Sequence, residues 1–317
     1  MINKQAAQAA CCLLKRTSII MGAVVNEMRY KIIPLVLIAF VILLSGCSSG
    51  NGAVEESEIS SASPTATEAP MAARVNGEGI TLSEFEAELG RLQSSQLELG
   101  IEAKLEEQQE QVLNEIINQV LLVQAATGQN FFVDEATLQE RIDLLIQQIG
   151  GVEALQDWQT SHSYDDQSFR NAMQRNIAAA WMRDQIISTV PDTAEQVHAR
   201  QILVREENSA VSIERQVQAG ADFETLAFQY DPLTGGNLGW FPRGYLCQPD
   251  VEEAAFNLQT GGVSAIIQTS YGYHLVQLIE YDEQHPLSPD AKLFLQHQAL
   301  EQWLEERRSE SAIEILI

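Results

Sequence analysis

Apolar residues recur at helical spacing in the first part of the chain after residue 72 and again near its C terminus. Within residues 108–124 they fall on one face of a predicted helix, which carries Val112, Leu113, Ile116, Ile117, Val120 and Leu121. A second helix is predicted to follow Asp134 and to end at Gly150-Gly151, since glycine favours a helix C terminus. Residues 166–188 have the same spacing and predict a third helix.

Two short signals predict how this helical region begins. Residues 74–77 (RVNG) are expected to form a short strand that enters an Asn-Gly turn. Ser83 is followed three residues later by Glu86, which is the form of a capping box. We therefore expect a helix that starts at Ser83.

The pattern changes after Pro191, where short strand-like and helix-like segments alternate. Strands are predicted over residues 197–204, 265–269 and 273–279, and helices over residues 209–218, 223–230 and 251–258. The Gly-rich segment 235–241 is interpreted as a turn. Together these segments predict a β-α-α-α-β-β module.

The chain becomes helical again after Pro286 and Pro289. Residues 292–308 are amphipathic, and one stripe carries Phe294, Leu300, Trp303 and Leu304. A lone helix cannot bury such a stripe by itself, so we expect this helix to pack onto the N-terminal helices. The central module is then an insertion into a helical domain.

The N-terminal segment has the pattern of an export signal. Residues 32–44 form a run of 13 residues that are all apolar apart from one proline, and Arg29 and Lys31 precede it. The run is shorter than the roughly 20 apolar residues of a membrane-spanning helix, and its cationic flank is typical of a secretory signal. Residues 44–47 (LSGC) resemble the bacterial lipobox, which implies a lipid on Cys47 and removal of residues 1–46. We expect the natural start to be Met28.

Residues 48–71, which follow the cysteine, are rich in Ser, Ala, Glu, Thr and Pro and have no apolar periodicity. Such a composition cannot bury a core and favours a disordered linker. We therefore interpret residues 47–71 as a lipidated cysteine with a flexible tether.

The composition excludes several classes of function. The 317 residues include 44 acidic and 19 basic side chains, for a formal charge of −25, and no basic stripe for phosphates is visible, so we expect no nucleic-acid partner. An acidic body is not attracted to an anionic membrane surface either, which leaves the lipid as the expected anchor. The sequence has no H-E-x-x-H, C-x-x-C or G-x-G-x-x-G motif, so we expect no metal and no cofactor.

Five blocks within residues 198–280 resemble parvulin-type peptidyl-prolyl cis-trans isomerase domains, and they occur in the family's order. The blocks are HARQILV (198–204), AGADFETLA (219–227), GGNLGWFPRG (235–244), EEAAF (252–256) and YGYHLV (271–276). The flanking segment VNGE (75–78), the Gln-rich helices and the returning helix with Trp303 resemble the chaperone domain of PrsA- and SurA-type foldases. The resemblance covers residues 72–317.

This resemblance implies an α+β fold with two domains. The first is an all-helical SurA-like chaperone domain, built from the N-terminal helices and the C-terminal helix, and the parvulin-like domain is inserted into it. The expected boundaries are residues 72–195 for the chaperone domain, 196–281 for the isomerase domain and 282–317 for the C-terminal helix.

The candidate site residues also follow from the resemblance. The catalytic positions of the family match His274, Asp231, Gln201 and Ser270. The family's proline pocket matches Leu238, Phe241, Leu246 and Val251.

Several positions depart from the family's pattern. Gln201 stands where the family usually has its first histidine, the loop 231–234 is shorter than usual, and Val251 stands where phenylalanine is typical. His198 cannot replace the missing histidine, because three residues along a strand place it on the opposite face of the sheet.

The resemblance implies an extracytoplasmic enzyme, anchored by lipid to the bacterial cell membrane or outer membrane, that isomerises X-Pro bonds. Its partners would be unfolded or partly folded secreted polypeptides. Gln201 and the shortened loop leave a second hypothesis open, a chaperone that binds peptides through a catalytically idle parvulin domain. A third hypothesis is a lipoprotein that serves as an assembly partner of another protein.

Overall fold

The computed structural model describes residues 69–317. The predicted signal peptide, the lipidated Cys47 and nearly all of the tether lie outside the described residues. Within residues 69–317, no helix is both long and apolar enough to cross a membrane.

The described chain begins with a small antiparallel sheet. Strands β1 (Met71–Val75) and β2 (Glu78–Thr81) form a hairpin whose turn contains Asn76 and Gly77, both with positive φ, as the Asn-Gly pair predicted. A C-terminal strand pairs with the other edge of β1 and gives the order β2-β1-β7, where β7 is Ile313–Ile315. The sequence predicted that this domain is all-helical. The structure differs, because a three-stranded sheet belongs to the domain. Strand β7 has only three residues, so it carries no readable periodicity.

Five helices follow, and their bounds are α1 (Leu82–Leu99), α2 (Leu105–Gly128), α3 (Glu135–Ile149), α4 (Val152–Ser161) and α5 (Asp166–Ser188). The predicted capping box at Ser83 is wrong by two residues. Thr81 is the N-cap of α1, and its hydroxyl accepts a hydrogen bond from the Glu84 amide at 3.2 Å. Asp134 caps α3 as predicted, since its carboxylate accepts from the Thr137 amide at 2.7 Å.

The inserted region consists of one four-stranded antiparallel sheet and three helices. Its elements in chain order are β3 (Thr193–Val204), α6 (Glu207–Gln218), α7 (Phe223–Tyr230), β4 (Asn237–Pro242), α8 (Pro249–Asn257), β5 (Ile267–Thr269) and β6 (Gly272–Pro286). The strand order is β4-β3-β6-β5. The predicted order β-α-α-α-β-β therefore lacks one strand, since the Gly-rich segment contains β4. Its glycines suggested a turn, but β4 pairs with β3, which the local sequence does not reveal.

The sheet separates two apolar cores. On one face, α8 packs over the sheet. The buried cluster there takes residues from β3, β4, α8 and β6, namely Val197, Ala199, Phe241, Val251, Ala255, Phe256, Val276 and Leu278. On the other face, α6 and α7 cover Ile202, Val204 and Leu275. The domain is thus a sheet with one helix on one side and two on the other.

The last helix, α9 (Pro289–Glu310), returns to the helical domain. Leu300 and Trp303 pack against the core formed by α3, α4 and α5. Near the end of α9, the Arg308 guanidinium donates to the side chain of Asn118 at 2.7 Å and to the carbonyl of Asn114 at 3.0 Å, both on α2. The parvulin-like sheet is therefore inserted between α5 and α9 of the helical domain.

Candidate active site

His274 lies at the centre of the candidate site and is 1% exposed. Register explains how the fold brings Gln201 to it. Gln201 and Leu203 share one face of β3, and Leu203 pairs with His274 on β6, so that Gln201 and His274 are diagonal neighbours on the same face. Their side chains meet at 2.8 Å, between Gln201 Oε1 and His274 Nδ1.

The second ring nitrogen of His274 contacts a hydroxyl. The β5–β6 hairpin pairs Thr269 with Gly272, and this places Thr269 Oγ1 2.8 Å from His274 Nε2. Because Gln201 Oε1 can only accept, Nδ1 carries the proton in this arrangement and Nε2 accepts from the Thr269 hydroxyl. The ring is thereby held in one orientation and one tautomer.

Burial lowers the pKa of His274 below its ordinary value of 6.5. The neutral imidazole therefore predominates at pH 7, and both of its hydrogen-bond partners are uncharged. The site is thus a buried, polar and preorganised arrangement, and neither hydrogen-bond partner of the ring is an acid or a base.

The family resemblance predicts the hydroxyl of the site at Ser270, whereas the structure places the hydroxyl of Thr269 against the ring. In the structure Ser270 is exposed in the turn after β5, whereas its neighbour Thr269 faces His274. The difference is one residue of register in a three-residue strand. Only the pairing of β5 with β6 could have selected Thr269, because alternation within so short a strand is not readable.

Asp231 ends α7 and organises the loop that follows. Its carboxylate accepts hydrogen bonds from the amides of Leu233 at 3.2 Å and Thr234 at 3.3 Å and from the Thr234 hydroxyl. Partial burial raises the pKa of Asp231, but these hydrogen bonds outweigh burial and hold the pKa below its ordinary range. The geometry thus gives Asp231 a structural role within its own loop.

This loop contacts β3 at Gln201. The Gln201 amide donates to the Gly236 carbonyl at 2.9 Å. Gly236 has φ of +67°, and a Cβ atom there would lie 1.8 Å from the Gln201 carbonyl oxygen, so only glycine fits. The Gly-rich turn therefore fixes the backbone of Gln201, while the side chain of Gln201 fixes His274.

The four predicted pocket residues share one apolar cluster. Phe241 and Val251 are fully buried, and the Phe241 ring meets the Phe256 ring edge-on at 6.0 Å. Leu238 and Leu246 pack against the same cluster and are only half-buried. Leu238 and Leu246 therefore contribute to the accessible apolar surface of this cluster, and Phe241 and Val251 lie in its buried core.

The cluster adjoins His274 through the sheet. Val276, a member of the cluster, pairs with Gln201, and Ile267, which packs on the cluster, pairs with His274. Paired residues lie on the same face of a sheet, so the apolar surface and the buried histidine are neighbours.

His198 lies on the other face of the sheet, as the alternation of β3 predicted. Its Nε2 contacts Asn237 Oδ1 at 3.0 Å, and its Nδ1 contacts Glu280 Oε1 at 3.4 Å. Among residues 69–317, no group of three or more His, Cys, Asp or Glu side chains is arranged to hold a metal ion.

Comparison with known proteins agrees with this architecture. A family model described as a PPIC-type PPIASE domain matches residues 186–280. A second family model, described as a SurA-like N-terminal domain, matches residues 21–183, which is 163 of the 317 residues.

Curated relatives carry the names of foldases and chaperones. The chain is 27% identical over 278 residues to "Foldase protein PrsA" of Caldanaerobacter subterraneus subsp. tengcongensis, covering 79% of this chain and 82% of that protein. It is 34% identical to "Foldase protein PrsA" of Geobacillus sp. (strain WCH70), covering 38% of this chain and 45% of the relative. It is 35% identical to "Chaperone SurA" of Burkholderia thailandensis, and the match covers 38% of this chain and 31% of the relative. The chain thus spans less than half the length of two of these three relatives.

Solved structures include a similar chain, the crystal structure of "Peptidylprolyl Isomerase (PrsA) from Bacillus cereus". It is 20% identical, with a TM-score of 0.42, and the match covers 76% of this chain and 88% of that one. Because the SurA-like model matches more than half of the residues, this chain belongs to the family of proteins with a SurA-like N-terminal domain, and it carries a peptidyl-prolyl isomerase domain of the PPIC type.

Proposed function

We propose that this protein is an extracytoplasmic foldase that catalyses cis-trans isomerisation of X-Pro bonds and assists the folding of secreted polypeptides. The observation that carries the proposal is the buried pair of His274 and Gln201 beside an apolar cluster, within a PPIC-type domain. The proposed domain boundaries are residues 72–195 and 282–317 for the chaperone domain and 196–281 for the isomerase domain.

Prolyl isomerisation requires the protein to bind the peptide and to stabilise its transition state, without covalent chemistry. Rotation about the prolyl bond has a barrier of about 18–20 kcal/mol, and no covalent intermediate is needed to lower it. A pocket that grips the pyrrolidine ring and favours the twisted amide over the planar one is sufficient. In the proposed site Leu238 and Leu246 grip the ring over Phe241. The neutral His274, held by Gln201 and Thr269, offers a dry, fixed dipole next to the twisting amide.

The membrane anchor of the proposal rests on the sequence of the N-terminal segment. The lipobox-like Cys47 would carry the lipid, and the 24 residues that follow would span about 25–30 Å as a flexible chain. The folded body would then work at a short distance from the bacterial cell membrane or outer membrane.

Binding of unfolded polypeptides is the second part of the proposed function. Large apolar side chains are exposed where α1 turns into α2, namely Leu97, Leu99, Ile101 and Leu105. Exposed apolar residues grouped in one place mark binding surfaces for apolar segments. The strong negative charge would keep such a surface soluble.

The test is a prolyl isomerisation assay on the full chain in a mild detergent. We expect catalysis above background, and we expect His274→Ala to lower kcat/KM at least tenfold because the fixed dipole is lost. His297→Ala is the matched control, because His297 lies on α9 of the helical domain and outside the site. A wild-type rate equal to background would overturn the enzymatic part of the proposal.

The alternative, a chaperone with an idle isomerase domain, is favoured by two observations. The carboxylate of Asp231 is engaged within its own loop, and Gln201 stands where the family usually has a histidine. Suppression of client aggregation by a wild-type protein that has no isomerase rate would establish this alternative.

A further inference from the structure

The loop between β4 and α8, residues 243–248, brings Leu246 to the apolar cluster of the candidate site. One carboxylate holds the backbone of this loop. Glu252 Oε1 accepts from the Gly244 amide at 2.5 Å, and Glu252 Oε2 accepts from the Leu246 amide at 2.8 Å. Hydrogen bonds from backbone amides to an ionised carboxylate are stronger than those to a neutral acceptor, and two of them to one carboxylate also fix its orientation.

The same loop is held at its other residues. The Arg243 guanidinium donates to Glu195 Oε2 at 2.8 Å and lies 4.0 Å from the centre of the Phe256 ring. The Tyr245 ring meets the Phe294 ring of α9 edge-on at 5.3 Å. Residues 243–246 of the loop therefore each have a neighbour that holds them, and within residues 69–317 only the side chain of Glu252 binds backbone atoms on both sides of Tyr245.

We infer that Glu252 is a positioning residue for the binding of X-Pro peptides, acting through the backbone of Leu246. Without its two hydrogen bonds the loop loses its conformation on both sides of Tyr245, and the Leu246 side chain leaves the position in which it can contact the pyrrolidine ring. Glu252 does not touch the peptide itself. This inference rests on the proposed isomerase function, since it names a further residue of the same site.

The test compares Glu252→Gln with Glu253→Gln in the full chain in a mild detergent. Glu253 is the next residue on α8 and is exposed, so the two variants remove the same charge from adjacent positions. The glutamine amide nitrogen cannot accept from a backbone N–H, so Glu252→Gln loses at least one of the two hydrogen bonds. With an Ala-Leu-Pro-Phe anilide as substrate, we expect KM to rise about tenfold and kcat to change less than about twofold, as loss of uniform binding predicts. Glu253→Gln should match the wild type.

A double-mutant cycle separates positioning from a general effect on stability. If Glu252 acts through Leu246, Glu252→Gln should change KM less than about twofold in a Leu246→Ala background, because the two effects are not additive. Additive effects, or equal KM values for Glu252→Gln and Glu253→Gln, would overturn the inference. If Glu252→Gln does not fold, as judged by circular dichroism, Glu252→Asp replaces it and should raise KM in the same way.

Failure of this inference can be told apart from failure of the proposed function. An inactive wild type overturns the proposed catalysis, and the affinity for the same peptide, measured by fluorescence titration, then decides about Glu252. An affinity about tenfold weaker for Glu252→Gln than for Glu253→Gln supports the positioning role, and equal affinities overturn it.

Discussion

His274 and His198 lie on opposite faces of the four-stranded sheet, and they differ in their burial and in the partners of their rings. His274 is buried, with the uncharged partners Gln201 and Thr269. His198 is partly exposed on the other face, and its partners are Asn237 and the carboxylate of Glu280. The comparison shows that register and burial, rather than residue type, decide which histidine has a preorganised environment.

The aromatic residues follow the same division. Phe241 and Trp240 are adjacent on β4 and therefore point to opposite faces. Phe241 is fully buried in the apolar cluster beside His274. The Trp240 ring stacks on the His285 ring at 3.8 Å and lies 5.6 Å from the His198 ring. The Phe241 side of β4 is thus part of a packed core, whereas the Trp240 side carries a partly solvated row of stacked rings, and α6 and α7 cover a different part of that face.

The largest effect that would test this comparison is expected from Phe241→Ala. The substitution leaves a cavity in a closed core, and it should lower the free energy of unfolding by about 3–5 kcal/mol. Trp240→Ala is the matched control, because it removes a larger but only half-buried ring and should cost about 2 kcal/mol from stacking and partial burial together. Guanidinium unfolding followed by circular dichroism measures both, and equal losses would show that the two faces are not packed differently.

The sequence predicted one part of this division well and another part poorly. The alternation of β3 placed His198 and Gln201 on opposite faces, because a strand alternates whatever its neighbours are. The helix of residues 166–188 and the cap at Asp134 were likewise readable, since both depend on residues a few positions apart. Local signals of this kind can be interpreted from the sequence without knowledge of the fold.

The features that were missed depend on distant pairing. Strand β4 lies in a Gly-rich segment and exists because it pairs with β3, and β7 exists because it pairs with β1, far away in the chain. Thr269 instead of Ser270 contacts His274 because of the register of β5 against β6. Glu252 belongs to a block that resembles the parvulin family, but only the folded loop shows that its carboxylate meets two backbone amides.

The pH dependence of the free energy of unfolding tests whether the burial of His274 lowers its proton affinity. Because burial lowers the pKa of His274 in the folded state, the unfolded chain binds the proton more readily than the folded one below the ordinary value of 6.5. The free energy of unfolding should therefore fall as the pH drops from 6.5 towards the lowered pKa and should level off below it. His274→Asn lacks this contribution, so its stability should depend less on pH over the same range.

The comparison is made by unfolding both proteins between pH 8 and pH 5. At pH 8 histidine is neutral in the folded and unfolded states, so the difference there gives the pH-independent cost of the substitution. Carboxylates that titrate at lower pH are shared by both proteins and cancel. Parallel curves for the wild type and His274→Asn would show that the burial of the ring has no consequence for its proton affinity.

The smallest effect is expected on the other face, from Glu280→Gln. The carboxylate of Glu280 is 60% exposed and lies 3.4 Å from the His198 ring, so water screens the interaction and the free energy of unfolding should change by less than about 0.5 kcal/mol. In a chain with a formal charge of −25, removal of any carboxylate also relieves repulsion, so the result needs a control of equal charge. Glu283→Gln, also on β6 and exposed, is that control. A loss of about 2 kcal/mol or more for Glu280→Gln alone, about twice the upper end of the range for an exposed pair, would mean that the surroundings of His198 hold this histidine as firmly as the buried site holds His274.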